Sequence, residues 1–194
     1  MKIKLITAAT LFAVCVIHGQ GMMFIYDQQS TNEVEGSVGL QSDQPMGQSF
    51  TPTFSSVSFV RLKLYDGDFF NHSGGTVLVN LRSNSITGTI LGSSLAVFMP
   101  HDFFDATNFI FSIPVTVVPG VTYYLQPVAQ VGSDGFGSFV TDGSYFGGSL
   151  IYQGGAIVGR NLWFQEGIIA VPEPSAAGLA LLGGGVWLWV CRRK

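Results

Sequence analysis

Glycine-bearing turn pairs recur at short intervals through the middle of this 194-residue chain: Asp66-Gly67, Gly74-Gly75, Pro119-Gly120, Asp134-Gly135, Asp142-Gly143, Gly147-Gly148 and Gly154-Gly155. Glycine takes positive φ without a Cβ clash and proline fixes φ, so each pair marks a place where the backbone can reverse. Reversals this frequent leave little room for long helices between them. They point to short antiparallel strands.

Hydrophobic alternation between the turns agrees. Val60, Leu62 and Leu64 alternate with Arg61 and Lys63, Val77, Val79 and Leu81 repeat the pattern, and so do Phe109, Phe111 and Ile113. Such a period of two gives a strand one buried and one wet face. Further strands are expected at 24–26, 47–51, 90–98, 122–128, 137–141, 150–152 and 162–164, and no segment of similar length carries a helical stripe. The expected fold is all-β: an antiparallel, jelly-roll-like β-sandwich of roughly eight to ten strands.

Only 11% of the residues are charged, against roughly 25% in ordinary soluble proteins, while glycine reaches 25 and phenylalanine 16. Between residues 22 and 171 eleven acids face four bases (Arg61, Lys63, Arg82, Arg160), a net of −7, and the remaining five bases lie at the two ends. An acidic body with scattered bases has no stripe to neutralise a phosphate backbone, which argues against nucleic acid as a partner. The two cysteines, Cys15 and Cys191, also lie at the ends. A disulfide framework, a thiol nucleophile and a thiolate zinc site are thereby excluded from the body, whose stability rests on packing.

The ends have their own logic. Residues 1–21 carry Lys2 and Lys4, an apolar run over 5–17 broken only by Thr7 and Thr10, and small residues Gly19 and Gly21. This is the three-part pattern of a secretory signal, with cleavage expected after Gly21. Cys15 does not fit a lipoprotein site, because Val14 precedes it and the apolar run continues to Ile17. At the other end, Val171-Pro172-Glu173-Pro174 precedes the uncharged stretch 175–191 and then Arg192, Arg193 and Lys194. Glu173 between two prolines can continue neither sheet nor helix. The uncharged stretch is just long enough for a transmembrane helix, with Trp187 and Trp189 suited to an interface and the basic cluster retained as a cytoplasmic membrane stop. Three segments are expected: a signal peptide at 1–21, an extracellular sandwich at 22–170 and a sorting tail at 171–194.

The tail resembles the PEP-CTERM sorting signal. The likeness rests on Val171-Pro172-Glu173-Pro174, a glycine-rich apolar span with Gly178, Gly183, Gly184 and Gly185, and the closing Arg192-Arg193. It implies export through the secretion machinery, transient anchoring in the inner membrane, and processing by an exosortase near Pro172 to Pro174, with release or transfer to the cell surface. Proteins of this kind belong to Gram-negative bacteria that make extracellular polysaccharide. The body is similar to sandwich domains of exported bacterial proteins at Gln48-Ser49-Phe50-Thr51-Pro52, Pro119-Gly120-Val121-Thr122-Tyr123, Tyr152-Gln153-Gly154-Gly155 and Leu162-Trp163-Phe164. That likeness bears on fold, not activity.

Groups able to do chemistry are few. His72 and His101 are the body's histidines, and neither accompanies a Gly-x-Ser-x-Gly elbow. Asp66 and Asp68 flank Gly67, and Asp102 and Asp105 flank two phenylalanines; they read as turn aspartates, with calcium as the competing use. Their spacing does not match the EF-hand loop, and no pair of acids identifies itself as a glycosidase pair. Tyr145, Phe146, Tyr152 and Trp163, together with Phe69-Phe70 and Phe103-Phe104, offer rings either to a core or to sugars. The expectation is therefore a non-catalytic, exported surface or matrix protein with no cofactor. A carbohydrate-binding module for extracellular polysaccharide is the alternative, and a surface hydrolase using Asp66, Asp102 or His101 a third.

Overall fold

The computed structural model describes residues 22–170 apart from 33, 69–72, 133–134 and 144. Two units are distinguished: a body, Ile25–Ile168, and a unit formed by the chain ends, Met1–Phe24 with Ile169–Lys194. The expected signal helix at 1–21 and transmembrane helix within 171–194 lie outside the described residues. Among the described residues no helix is long and apolar enough to cross a membrane.

Turns and alternation produce two seven-stranded antiparallel sheets. The first contains β1 (Met23–Ser30), β2 (Val34–Gly39), β4 (Ser56–Asp66), β8 (Phe104–Thr116), β10 (Phe136–Asp142), β13 (Arg160–Leu162) and β14 (Phe164–Ala170). The second contains β3 (Gly47–Phe50), β5 (Gly75–Ser83), β6 (Ile90–Ser93), β7 (Val97–Met99), β9 (Tyr123–Ala129), β11 (Leu150–Tyr152) and β12 (Gly155–Ile157). The order in the first sheet is β1-β14-β4-β10-β13, with β8 also on β4 and β2 also on β10. In the second it is β12-β11-β3-β9-β5-β6, with β7 on β5. From β3 to β5, and again from β8 to β11, the chain changes sheet at every strand, which is the jelly-roll-like element of the topology.

The inward faces meet in one apolar cluster. Val60, Leu62, Leu64, Phe109, Phe136 and Phe164 of the first sheet pack with Phe50, Val77, Val79, Leu81, Tyr123 and Leu125 of the second. A smaller cluster of Val38, Met46, Val140, Leu150 and Leu162 lies beside Tyr152. The two sheets are also tied by polar groups. Buried Gln48 on β3 donates from Nε2 to Asn161 Oδ1 on β13 at 2.9 Å, and its Oε1 accepts the Leu162 amide at 2.7 Å.

Four expectations needed correction. Among the described residues there are fourteen strands rather than eight to ten, because two expected strands are each divided and β2 and β12 were not expected. The expected strand at 90–98 divides into β6 and β7 at Ser94, whose hydroxyl accepts the Val79 amide at 2.9 Å while Leu95 turns its own amide to Ile110 in the first sheet. Likewise 162–164 divides at Trp163, which donates to Phe139 O on β10 and accepts from Lys63 N on β4. Ile113, expected inside, is 78% exposed. The β4–β8 register shifts between Val57 and Phe59, where Val57 faces Val115 but Phe59 faces Ile110, so the extra residues of β8 bulge outward.

Candidate functional site

The end of β4 gathers a cluster of titratable side chains. Asp66 is the last residue of the inward-facing series Val60, Leu62, Leu64 and is itself 1% exposed. Its carboxylate accepts the Asp68 amide at 3.0 Å and the Asp102 amide at 3.1 Å, and lies 3.1 Å from His101 Nδ1. On the other side of the ring, Nε2 is 3.2 Å from the exposed Asp102 carboxylate. Asp102 reaches this position with φ of 61°, a conformation aspartate tolerates better than most residues. The cluster therefore braces two loops: Asp66 is occupied by backbone amides, and the imidazole is bracketed by two acids.

The four aspartates singled out from sequence thus separate. Asp66 and Asp102 meet at His101, Asp68 contributes a backbone amide, and Asp105 is exposed and turned to its neighbour, accepting the Ala106 amide at 2.7 Å. Among the described residues no group of three or more His, Cys, Asp or Glu is arranged to hold a metal ion. His72, Phe69, Phe70 and Asp134 lie outside the described residues.

The rings considered for sugar contact do not form one platform. Tyr145 packs edge-on against core residue Phe164 with centroids 5.2 Å apart, and its oxygen accepts the Thr51 amide at 3.3 Å. Burial pushes its hydroxyl up to about 12, opposed by the Thr51 amide and reinforced by Glu166 and Asp27, so it stays neutral. Tyr152 covers the smaller cluster, whereas Phe146 is 94% exposed. Trp163 is half-buried, its backbone held between Lys63 and Phe139.

Sequence reading passed over two acids that the fold brings together. On β14 Phe164 is opposite Leu62 and Glu166 opposite Val60, so Glu166 points inward with the core and is 0% exposed. Neither of its carboxyl oxygens closes a hydrogen bond of normal geometry. Burial pushes the carboxyl up to about 8, helped by the charge on Asp27 and only partly offset by the nearby Gln28 amide. Asp27 is its opposite. Burial raises its pKa, yet the Thr53 hydroxyl, the Phe54 and Thr53 amides and the Gln28 side chain together hold it below the ordinary carboxylate value. The parity of Phe164 and Glu166, two apart on one strand, was the signal for Glu166.

The described residues define a two-sheet β-sandwich, and the chain continues from β14 into an apolar tail closed by basic residues. Residues 170–194, the last part of the chain, match the PEP-CTERM protein-sorting motif. This match covers Val171, Pro172, Glu173, Pro174 and the terminal Arg192, Arg193 and Lys194, and a tail of this class marks an exported chain for processing by an exosortase. No curated protein matches the chain.

Proposed function

We propose that this is a non-catalytic component of the bacterial cell surface or extracellular matrix, delivered by its C-terminal address and freed or transferred when an exosortase cuts near Pro172 to Pro174. The observation that carries the reading is the match of residues 170–194 to the sorting motif. Two features of the body support it. Strand β14 ends at Ala170, directly before the Val-Pro-Glu-Pro segment, so cutting there leaves the strand whole. The Asp66, His101 and Asp102 cluster commits its buried carboxylate to backbone amides, an arrangement suited to bracing loops rather than to activating a substrate.

Intact-mass measurement of the protein recovered from its native host tests this. The surface form is expected to lack residues 1–21 and the basic end, and replacing Pro172, Glu173 and Pro174 with alanine is expected to leave an uncut form in the inner membrane. Retention of Arg192, Arg193 and Lys194 in surface-exposed protein would refute the proposal.

A further inference from the structure

The outward face of β4 differs from the rest of this acidic body. Of the body's four bases, Arg160 is paired with Glu35, and Arg82 is used by Gln126 and the Gly88 carbonyl. The other two, Arg61 and Lys63, stand two apart on β4 and share its outer face. Among the described residues neither has a carboxylate partner, and Arg61 Nε is buried without a hydrogen bond.

Aromatic rings flank Lys63. Register places Tyr65 opposite Phe104 and Lys63 opposite Ala106, so Phe104 rises on the same face. Phe104 is 64% exposed and meets Phe139 edge-on at 4.9 Å, and Phe139 lies 5.0 Å from Tyr65. The Lys63 ammonium is 5.2 Å from the centre of Phe139 and 5.8 Å from that of Phe104, within cation–π range. Tyr65 lies across Gly137: a Cβ at that position would come within 2.2 Å of the ring, so the glycine lets the ring lie close to the sheet. Its hydroxyl is fixed by donation to Ser37 at 2.9 Å.

A rigid face carrying three adjoining rings and two uncompensated cations is unusual on a domain of net −7. Phe104 is exposed and Tyr65 and Phe139 are half-buried, so the ring faces can be reached from solvent beside the Lys63 cation. We propose that the outer face formed by Arg61, Lys63, Tyr65, Phe104 and Phe139 binds a carboxylated polysaccharide, its sugar rings lying on the aromatic faces and its carboxylates meeting the two cations. Ring faces carry partial negative charge and attract the polarised C–H groups of a pyranose, while the cations select the acidic sugar over a neutral one. A peptide strand is poorly served here. β4 is bonded on both edges, by β8 on one side and by β14 and β10 on the other, so it has no free edge to extend. Repulsion from the rest of the body is screened beyond about 8 Å at physiological salt, so the local cations dominate at contact.

The test is titration of the full-length chain, in a sugar-free zwitterionic detergent, with polygalacturonate, its methyl ester and polyglutamate. Binding of polygalacturonate is expected, with little to the uncharged ester and little to polyglutamate, which has carboxylates but no sugar rings. Phe104→Ala and Lys63→Gln alter exposed or half-exposed groups, and each is expected to weaken binding roughly three- to tenfold with the melting temperature retained. No binding at millimolar uronate, equal binding of the ester, equal binding of polyglutamate (an acidic-peptide site), or unchanged affinity in both variants would each overturn the proposal. None of these outcomes bears on tail processing, and a chain that is never cut can still bind, so the two readings fail separately.

Discussion

Glu166 is fully buried near Asp27 with neither oxygen closing a hydrogen bond of normal geometry, and its consequence is a pH dependence of unusual direction. In the unfolded chain its carboxyl ionises near 4.5, whereas in the fold it holds its proton to about 8. Between these values the folded state binds the extra proton, so stability falls as pH rises through that window and levels off above it. The shift corresponds to at most a few kcal/mol. Asp27 acts oppositely: its lowered carboxyl stabilises the fold above the unfolded value, an effect lost as pH falls through the folded one. Glu166→Gln, nearly isosteric and unable to ionise, is expected to raise stability at pH 8 to 9 by about 1–3 kcal/mol and to change it little at pH 4. Urea unfolding at both pH values checks this; an equal effect at both would show that ionisation of Glu166 is not the cause.

At the scale of elements, alternation was a sound guide wherever a strand had one wet and one dry face. β5, β9 and β10 fall within a residue or two of their expected places, and β4 extends the expected 60–64 to Ser56–Asp66. It failed for β2, Val-Glu-Gly-Ser-Val-Gly, whose glycines and charge give little strand preference and which is held by its ladder to β10. One turn moved as well: Tyr152 pairs with Gly155, so the reversal uses Gln153 and Gly154, with φ of 48° and 83°, where Gly154-Gly155 was expected. At Pro119-Gly120 the expectation held, with glycine φ at 80° and the Val121 amide bonded to Val118 O at 3.1 Å. The platform on β4 was legible only in part. Arg61 and Lys63 were seen as the wet positions of a strand, but their neighbours Phe104 and Phe139 come from strands far away in sequence, through register that no local pattern encodes. The same holds for Gln48, which sits in a β3 buried on both faces and joins it to β13. Gln48→Ala removes its bonds to Asn161, to the Ser49 carbonyl and to the Leu162 amide. It is expected to cost about 2–4 kcal/mol, because the buried partners lose their bonds without access to water. A loss under about 0.5 kcal/mol in urea unfolding, within the usual range for surface changes, would show that the bridge between sheets is not structural.

For the whole molecule, the body and the address obey different physics. The body has no cysteine and few charges, and it is held by apolar packing between two sheets. On the proposed reading the address depends on a balance at the bilayer. Seventeen uncharged residues separate Pro174 from Arg192, and as a helix they reach about 26 Å, slightly less than the roughly 30 Å hydrocarbon core. On that reading so short a span would have little hydrophobic reserve, and Arg192, Arg193 and Lys194 would serve it twice: their long side chains would reach the headgroups, and their charge would oppose passage of the end across the membrane. Replacing all three with serine keeps the Pro-Glu-Pro segment and the apolar stretch but removes that stop. Fractionation of the native host is then expected to show less protein held in the inner membrane and less cut at Pro172 to Pro174, with uncut chain passing through to the periplasm or medium. Replacement by three other basic residues is expected to restore cutting, since the stop requires charge rather than a particular sequence. If the serine variant is cut as efficiently as the natural chain, the basic end is dispensable and the apolar stretch alone retains the protein.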